Sequence, residues 1–444
     1  MVTLHEIHSF EMQGVKPSPV VICWERANCK KDPKEAPQEE SQLLTQPLLL
    51  VNSSLTRKVS NVLIVPYNTM TTFFFRRSVE KAFQLDEQPQ NLSLVPGKYR
   101  GSNSANITSA VDDVMYIVNQ VFERSLPTSQ REVIAGVVPS IARVLGSDFV
   151  GMIQRKMRDE CYPKSAVQGA NPQEQTIISF ILLINNLDVA TDYLKRIVER
   201  HIGQSPDVKW TIEDEKLSST HLTVLYPFDN DASFVSITLR SLQKSFDKKT
   251  SELINDGVMV LFKNVIKPRL RPILAEAFRD IDYQSTHAGA QKNPGETETE
   301  INDEASDEVY VQRHFEHGWD VLMEPIKKLL TDRNYEKLLK IVSSYLSEVL
   351  EKRIWSYYGR INDLGAVRLE RDITSIITVA VRGGRYGLRD AFSRCTQICM
   401  IMNMEDDEWE ELQKMASDTP HNAIQWKIET EERLRARAMV QHVG

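Results

Sequence analysis

The sequence predicts an all-α protein built from consecutive antiparallel helix bundles. Glycine and proline number 18 and 19 in 444 residues, each about 4% against averages near 7% and 5%, too few for a turn-rich β fold. Apolar residues recur at steps of three and four through most of the chain, and strand alternation flanked by hairpin turns is missing. Apolar residues make up 41% and charged residues 26% of the chain, as in proteins that bury a sizeable core. The 54 Lys and Arg against 61 Asp and Glu, net −7, exclude a nucleic-acid protein relying on overall positive charge.

Residues 1–50 read as a disordered or wrongly assigned segment, because Lys30–Gln42 is charged, proline-containing and almost free of apolar side chains. A helical-bundle domain is expected over 51–282. Within it a helix starts near Leu55, and Val111, Val114, Met115, Val118, Val121 and Phe122 form a continuous stripe behind the cap candidates Thr108 and Ser109. A further helix runs from Ser129 to Ala142, where Pro139 ends or kinks it, and another carries Phe149, Ile153 and Met157. Residues 173–201 hold the apolar run Thr176–Ile184, about half the ~20 residues of a membrane span, and end in a basic turn suited to a helix carboxyl terminus. A long helix follows between Ser233 and Ile266, with Pro268 and Pro272 breaking or kinking the path.

Residues 283–308, with seven acidic residues from Glu296 to Glu308, read as a solvated acidic loop. A carboxyl-terminal helical-bundle domain is expected over 309–444, in which Tyr335, Leu338, Val342, Tyr345 and Val349 share one helix face. Further helices are legible at about 367–381, 386–402, 406–415 and 429–441.

Catalytic and metal-binding patterns are weak. Val381–Gly387 superficially resembles a phosphate loop but does not match the Walker spacing, so a flexible helix join is the better reading. His314 and His317 share a face without a third ligand, and Cys395 and Cys399 lack the remaining ligands of a zinc site and read as small buried hydrophobes. No cofactor and no catalytic residue is therefore nominated. The five cysteines are sparse and odd in number, which fits a reducing compartment, and sequons at Asn52, Asn91 and Asn106 read as chance matches. The run Phe73-Phe74-Phe75 before Arg76-Arg77 suits either a membrane-touching or partner-binding patch or, the commoner case, a helix with its rings split between the core and a neighbouring helix. In Arg389–Arg394 charges sit inside an amphipathic stretch, and an arginine there calls for a carboxylate elsewhere in the last lobe.

Four strings carry a family resemblance: MTTFFFRRSVEKAFQLDE (Met70–Glu87), SAVDDVMYIVNQV (Ser109–Val121), INDLGAVRLERDITSI (Ile361–Ile376) and LRDAFSRCTQICMIMNMED (Leu388–Asp406). In their order and spacing they resemble the carboxyl-terminal half of subunit 4 of the conserved oligomeric Golgi complex, most like a fungal form, over about residues 46–444. The resemblance implies an elongated rod of helix bundles and a non-enzymatic vesicle tether on the cytosolic face of the Golgi. It also implies a part in intra-Golgi retrograde transport and in maintaining Golgi structure and glycosylation. Implied partners are the other complex subunits, with SNAREs, their Sec1/Munc18-type regulator and Rab-type GTPases as further candidates. In this family an arginine in the motif matched by LRDAF pairs with a glutamate in the last helices. By motif that pair is Arg389 and Glu432, with Asp390, Phe392 and Arg394 beside it. Gly383, Gly384 and Gly387 depart from the family pattern. So does the lack of a comparably long amino-terminal half, which reads as a truncated product or gene model. A competing reading is a peripheral lipid-binding adaptor whose last lobe uses Arg368, Arg371, Arg382, Arg385, Arg389 and Arg394.

Overall fold

Sparse glycine and unbroken three-to-four periodicity give, in the computed structural model, a succession of helices with no β-strand among the residues it describes. Those are residues 53–98, 105–164, 173–203, 222–226, 228–279, 281–284, 310–382, 384, 387–418 and 425–440. All fall within one compact unit, 46–444.

Helix α1, Ser54–Gln84, turns back into α2, Ser109–Ser125. The register is antiparallel. Ser109 donates its N–H to the Glu87 carbonyl at one end, and Tyr67 Oη lies 3.0 Å from Ser125 Oγ at the other. The predicted α2 stripe is buried throughout. Its cap differs from expectation: Thr108 sits at the N-cap, yet its Oγ1 accepts from Asn186 Nδ2. Asp86 Oδ1 takes the Ala110 N–H instead.

The two helices expected, one over about 129–142 and one carrying Phe149, Ile153 and Met157, are one, α3, Arg131–Glu160. Pro139 is absorbed inside it, and two π turns, Leu145–Phe149 and Lys156–Glu160, each let one extra residue into the ladder. α4, Glu174–Ile202, ends at Gly203, whose φ of +77° closes the helix. α5, Asp229–Leu261, passes through a third π turn, Phe262–Ile266, into α6, Lys267–Ala277. Pro268 falls in the first turn of α6, where its missing N–H costs little, and the helical path continues through it. α4 and α5 pair antiparallel: Thr191 Oγ1 meets Thr250 Oγ1 at 2.8 Å, and Gly257 lies against Ile184. By length and composition α3 and α4 could each cross a membrane, but 78% of the α4 window is buried in the bundle.

The second half comprises α7, Tyr310–Leu329, α8, Asp332–Ser356, and α9, Asp363–Val381. It continues with a 3₁₀ turn, Arg389–Phe392, then α10, Ser393–Met402, α11, Asp406–Asp418, and α12, Thr430–Arg437. The acidic loop lies outside the described residues from 285 onward. Its expected first residue does not belong to it: Tyr283 is buried, donating to Asp372 Oδ2 at 2.7 Å.

A polar latch ties the halves together. Asn185, fully buried in α4, donates to the carbonyls of Asn106 and Leu329 at 2.9 and 2.7 Å and accepts the Thr331 N–H at 3.1 Å. One turn on, Asp188 accepts from Thr331 Oγ1 at 2.7 Å and from Arg333 at 3.1 Å. The polar residues that interrupt the apolar run of α4 thus satisfy the backbone of the α7–α8 turn, which burial would otherwise leave unpaired. Asn106 spends its amide on the Lys328 carbonyl at 3.0 Å, so this sequon offers no free acceptor.

Candidate functional site: the carboxyl-terminal clamp

Residues 425–440 cross the faces of α8 and α10 as a strap, and two α10 side chains one turn apart hold it. Gln397 donates its amide to the Gln425 carbonyl at 2.9 Å and accepts the Lys427 N–H at 2.8 Å. Arg394 donates Nη1 to the Lys427 carbonyl at 2.8 Å, so both polar groups of that peptide are satisfied by the helix. Ile428 then fills the core.

Arg394 is the centre of the clamp. Its Nε and Nη2 grip Glu351 of α8 at 2.9 and 2.7 Å, a bidentate fork, and Nη2 also reaches Glu432 Oε1 at 2.6 Å. Side-chain exposures of 34%, 20% and 32% for Arg394, Glu351 and Glu432 place the cluster between surface and core. Hydrogen bonds from Arg394, then from the Glu429 N–H, hold the Glu432 carboxyl below its ordinary value. The two glutamates in turn hold the guanidinium above its own.

Glu432 has a second task. Its Oε2 accepts the Glu429 N–H at 2.8 Å while Glu429 caps the N3 backbone, a capping box that starts α12. One carboxylate therefore both neutralises Arg394 and nucleates the last helix. Further along, Arg433 lies over Trp426 and Arg435 over Trp355. Arg437 donates to the Met404 carbonyl and to Asp406. Val440 forms a bridge to Ile361.

The expected pair is thereby corrected. Glu432 pairs with Arg394, not with Arg389. Arg389 and Asp390 lie exposed on the 3₁₀ turn, and Arg389 has no side-chain partner among the described residues. Phe392, fully buried, and Leu388 anchor that turn, which directs the residues between them outward. The signal in the sequence was Gly387, whose φ of +107° ends the turn entering this segment: a helix starting beyond it includes Arg394 and leaves Arg389 on the connection. Glu351 carried no signal, being one carboxylate among several on α8.

Other expectations fall as follows. Cys395 and Cys399 are buried. Burial pushes both thiols up, Cys395 to about 11. His314 and His317 are exposed, and among the described residues no group of three potential metal ligands forms. Of the three adjacent phenylalanines Phe75 is in the core, whereas Phe73 and Phe74 are exposed, not packed on a neighbouring helix. Gly383, Arg385 and Tyr386 lie outside the described residues. Arg382 is engaged by Glu316 and Asp320.

Helices pinned by shared carboxylates, with cations spent on neighbouring helices and backbone, define a helical scaffold. The particular scaffold is identified by comparison. The chain matches the family of conserved oligomeric Golgi complex subunit 4, C-terminal, over residues 180–435. It also matches the middle alpha-helical bundle of the same transport protein over 23–157. It belongs to that family. The likeness reaches residue 23, further toward the amino end than the strings above indicated. Relatives named conserved oligomeric Golgi complex subunit 4 include those of Saccharomyces cerevisiae, 25% identical over 59% of this chain and 30% of that protein, and of Arabidopsis thaliana, 25% identical over 80% and 42%. The Homo sapiens relative is 23% identical over 84% of this chain and 45% of its own. The chain thus spans less than half the length of the relatives it matches. Among solved structures it is similar to the C-terminal domain of the exocyst subunit Sec6p, at 10% identity and a TM-score of 0.45 over 87% of this chain and 90% of that one.

Proposed function

We propose that the chain is a non-enzymatic subunit of the conserved oligomeric Golgi complex, working in vesicle tethering during intra-Golgi retrograde transport. The observation that carries this is the match of two consecutive family models, in order, to 23–157 and 180–435. The geometry supports a scaffold: polar groups pin helices, leaving helix surfaces for recognition. The other subunits of the complex are the expected partners, at the cytosolic face of the Golgi, with SNAREs, their Sec1/Munc18-type regulator and Rab-type GTPases as candidates for transient contact. Arg389 and Asp390, exposed and adjacent on the 3₁₀ turn, are proposed as contact residues, and Arg394, Phe392 and Glu432 as the support beneath them. The lipid-binding alternative loses support because Arg382 and Arg394 are already held by carboxylates.

The test is to tag the endogenous gene at its carboxyl end, purify under mild detergent, and identify the co-purifying chains. Recovery of sister tether subunits is expected. Recovery of the tagged chain without them, from cells in which the complex is otherwise intact, would refute the assignment.

A further inference from the structure

Helix α1 turns apolar side chains outward as well as inward. Its inner face, centred on Phe75, Val79 and Ala82, is buried. Leu55, Val62, Val65, Met70 and Phe73 stay exposed, Val62 and Phe73 by 71% and 72%. At about 100° per residue these five fall within an arc of about 140°, so they form one ridge along the helix. From Leu55 to Phe73 the ridge is about 27 Å long at the helical rise. An apolar stripe of about five turns on a helix already anchored by its other face marks a binding surface.

The start of α1 also outruns the helices it packs on. Tyr67 is level with Ser125, the last residue of α2, and Asn68 lies against Gly136 of α3. Because α3 runs beside α1 in the same direction, with Arg76 meeting Asp148 and Asp86 meeting Lys156, its first residue, Arg131, stands level with about residue 63 of α1. Roughly two and a half turns of α1 therefore extend beyond α2 and α3, and so short a piece of helix gains from any helix laid along it.

We propose that this ridge receives an amphipathic helix of a separate protein, apolar along one side and acidic beside that stripe. The proposal gives the scaffold reading above a surface, and rests on that reading for the partner being a protein. A straight ridge with apolar residues at helical spacing fits another helix laid along it. Charge sets the partner's sign. Arg76 and Arg77 are held by Asp148 and Glu80, but exposed Lys58, near the start of the ridge, and exposed Lys81, just past its end, meet no carboxylate among the described residues. A second copy is disfavoured by the same charges. Parallel pairing sets Lys58 on Lys58, and antiparallel pairing of Val62 with Phe73 brings Lys58 to Arg77, so like charges meet either way. An anionic bilayer is disfavoured because two free lysines, about 34 Å apart along the helix, do not make the cluster of about four to eight cations that such surfaces attract.

The test uses the purified full chain, so its failure leaves the co-purification result above untouched. The probe is a fluorescent three-heptad peptide with leucine at a and d and glutamate at e and g, set against the same peptide with lysine at e and g. The chain carries net −7, so general attraction favours the lysine peptide and only a local site favours the other. Saturable binding of the glutamate peptide is expected, at least about tenfold tighter than the lysine peptide. Val62→Ser/Phe73→Ser should weaken it by about tenfold, and Lys58→Glu/Lys81→Glu should abolish the preference, with hydrogen exchange of amides 177–190 in α4 unchanged to show that the bundle is folded. With p-benzoyl-phenylalanine in place of Phe73, illumination should link the chain to the glutamate peptide and not to itself. Binding of neither peptide, no preference between them, or binding that survives Val62→Ser/Phe73→Ser overturns the proposal. So does a link within the chain, or self-association or capture on phosphatidylserine vesicles that those two substitutions abolish.

Discussion

The clamp can be taken apart so that each bond is read separately. Glu432→Ala removes both the ion pair and the capping-box acceptor, whereas Glu432→Gln keeps an oxygen for the Glu429 N–H and loses mainly the charge. Losing a cap costs ~1 kcal/mol. A pair about one-third exposed on each side lies between the ~0–1 kcal/mol of surface pairs and the larger values of buried ones, so about 1 kcal/mol is a reasonable figure. Glu432→Ala should then open the strap by about 2 kcal/mol and Glu432→Gln by about 1 kcal/mol. Arg394→Ala should cost more, about 3 kcal/mol, because it leaves the Glu351 carboxylate, 20% exposed, and the Lys427 carbonyl without their donor. Arg389→Ala should stay within ~0.5 kcal/mol, as for exposed residues without partners. The assay is native-state hydrogen exchange of amides 425–440, which reports local opening without requiring the whole chain to unfold reversibly. In a double-mutant cycle Arg394 and Glu432 should couple by about 1 kcal/mol and Arg389 and Glu432 by about zero. A cycle with those two values exchanged would refute the assignment of the pair.

Three further outcomes follow from the geometry. Asn185→Ala, by stripping partners from the Thr331 N–H and the Asn106 and Leu329 carbonyls, should lower stability by about 3 kcal/mol, read as a reduced denaturation midpoint for α4 and α8 together. Gly365→Ala would set a Cβ 1.8 Å from the Tyr283 carbonyl oxygen, so the soluble yield or melting temperature should fall sharply, whereas Gly151→Ala, with open space around it, should be tolerated. Protonation should loosen the strap. The Glu432 carboxyl lies below its ordinary 4.5 in the folded chain, so its contribution is complete above that pH and is lost as pH falls through the folded value. Protection of amides 425–440, taken relative to their intrinsic exchange rate at each pH, should fall there, and Glu432→Gln should remove that pH dependence. Buried Asp372 runs the other way: burial raises its carboxyl, so acid relieves it, and α9 must be read separately from the strap.

Much of the helix inventory was legible because each buried stripe repeats at three and four, as in α2 and α8. What the sequence could not show was continuity. Pro139 and Pro268 look like stops or kinks, yet Pro139 is carried inside α3 and Pro268 falls in the first turn of α6, so both lie within long helical paths. The clamp was half legible. Arg394 and Glu432 stood among the nominated residues, but the partner was misassigned to Arg389, because motif position does not report which face a residue takes after a 3₁₀ turn. Asn185 and Asp188 look in the sequence like nothing more than the polar end of the apolar run Thr176–Ile184. Their role depends on the α7–α8 turn, nearly 150 residues away in sequence, which no local pattern specifies.

The three π turns, at 145–149, 156–160 and 262–266, have a consequence for tracing this chain among its relatives. Each holds one residue more than the α-helical ladder needs, so a relative with a single-residue deletion there can keep the same faces buried on both sides. A single-residue gap inside these helices is thus compatible with conserved packing, whereas an equal gap in α4, which has no such reserve, would rotate everything beyond it by about 100° and carry Asn185 out of its socket.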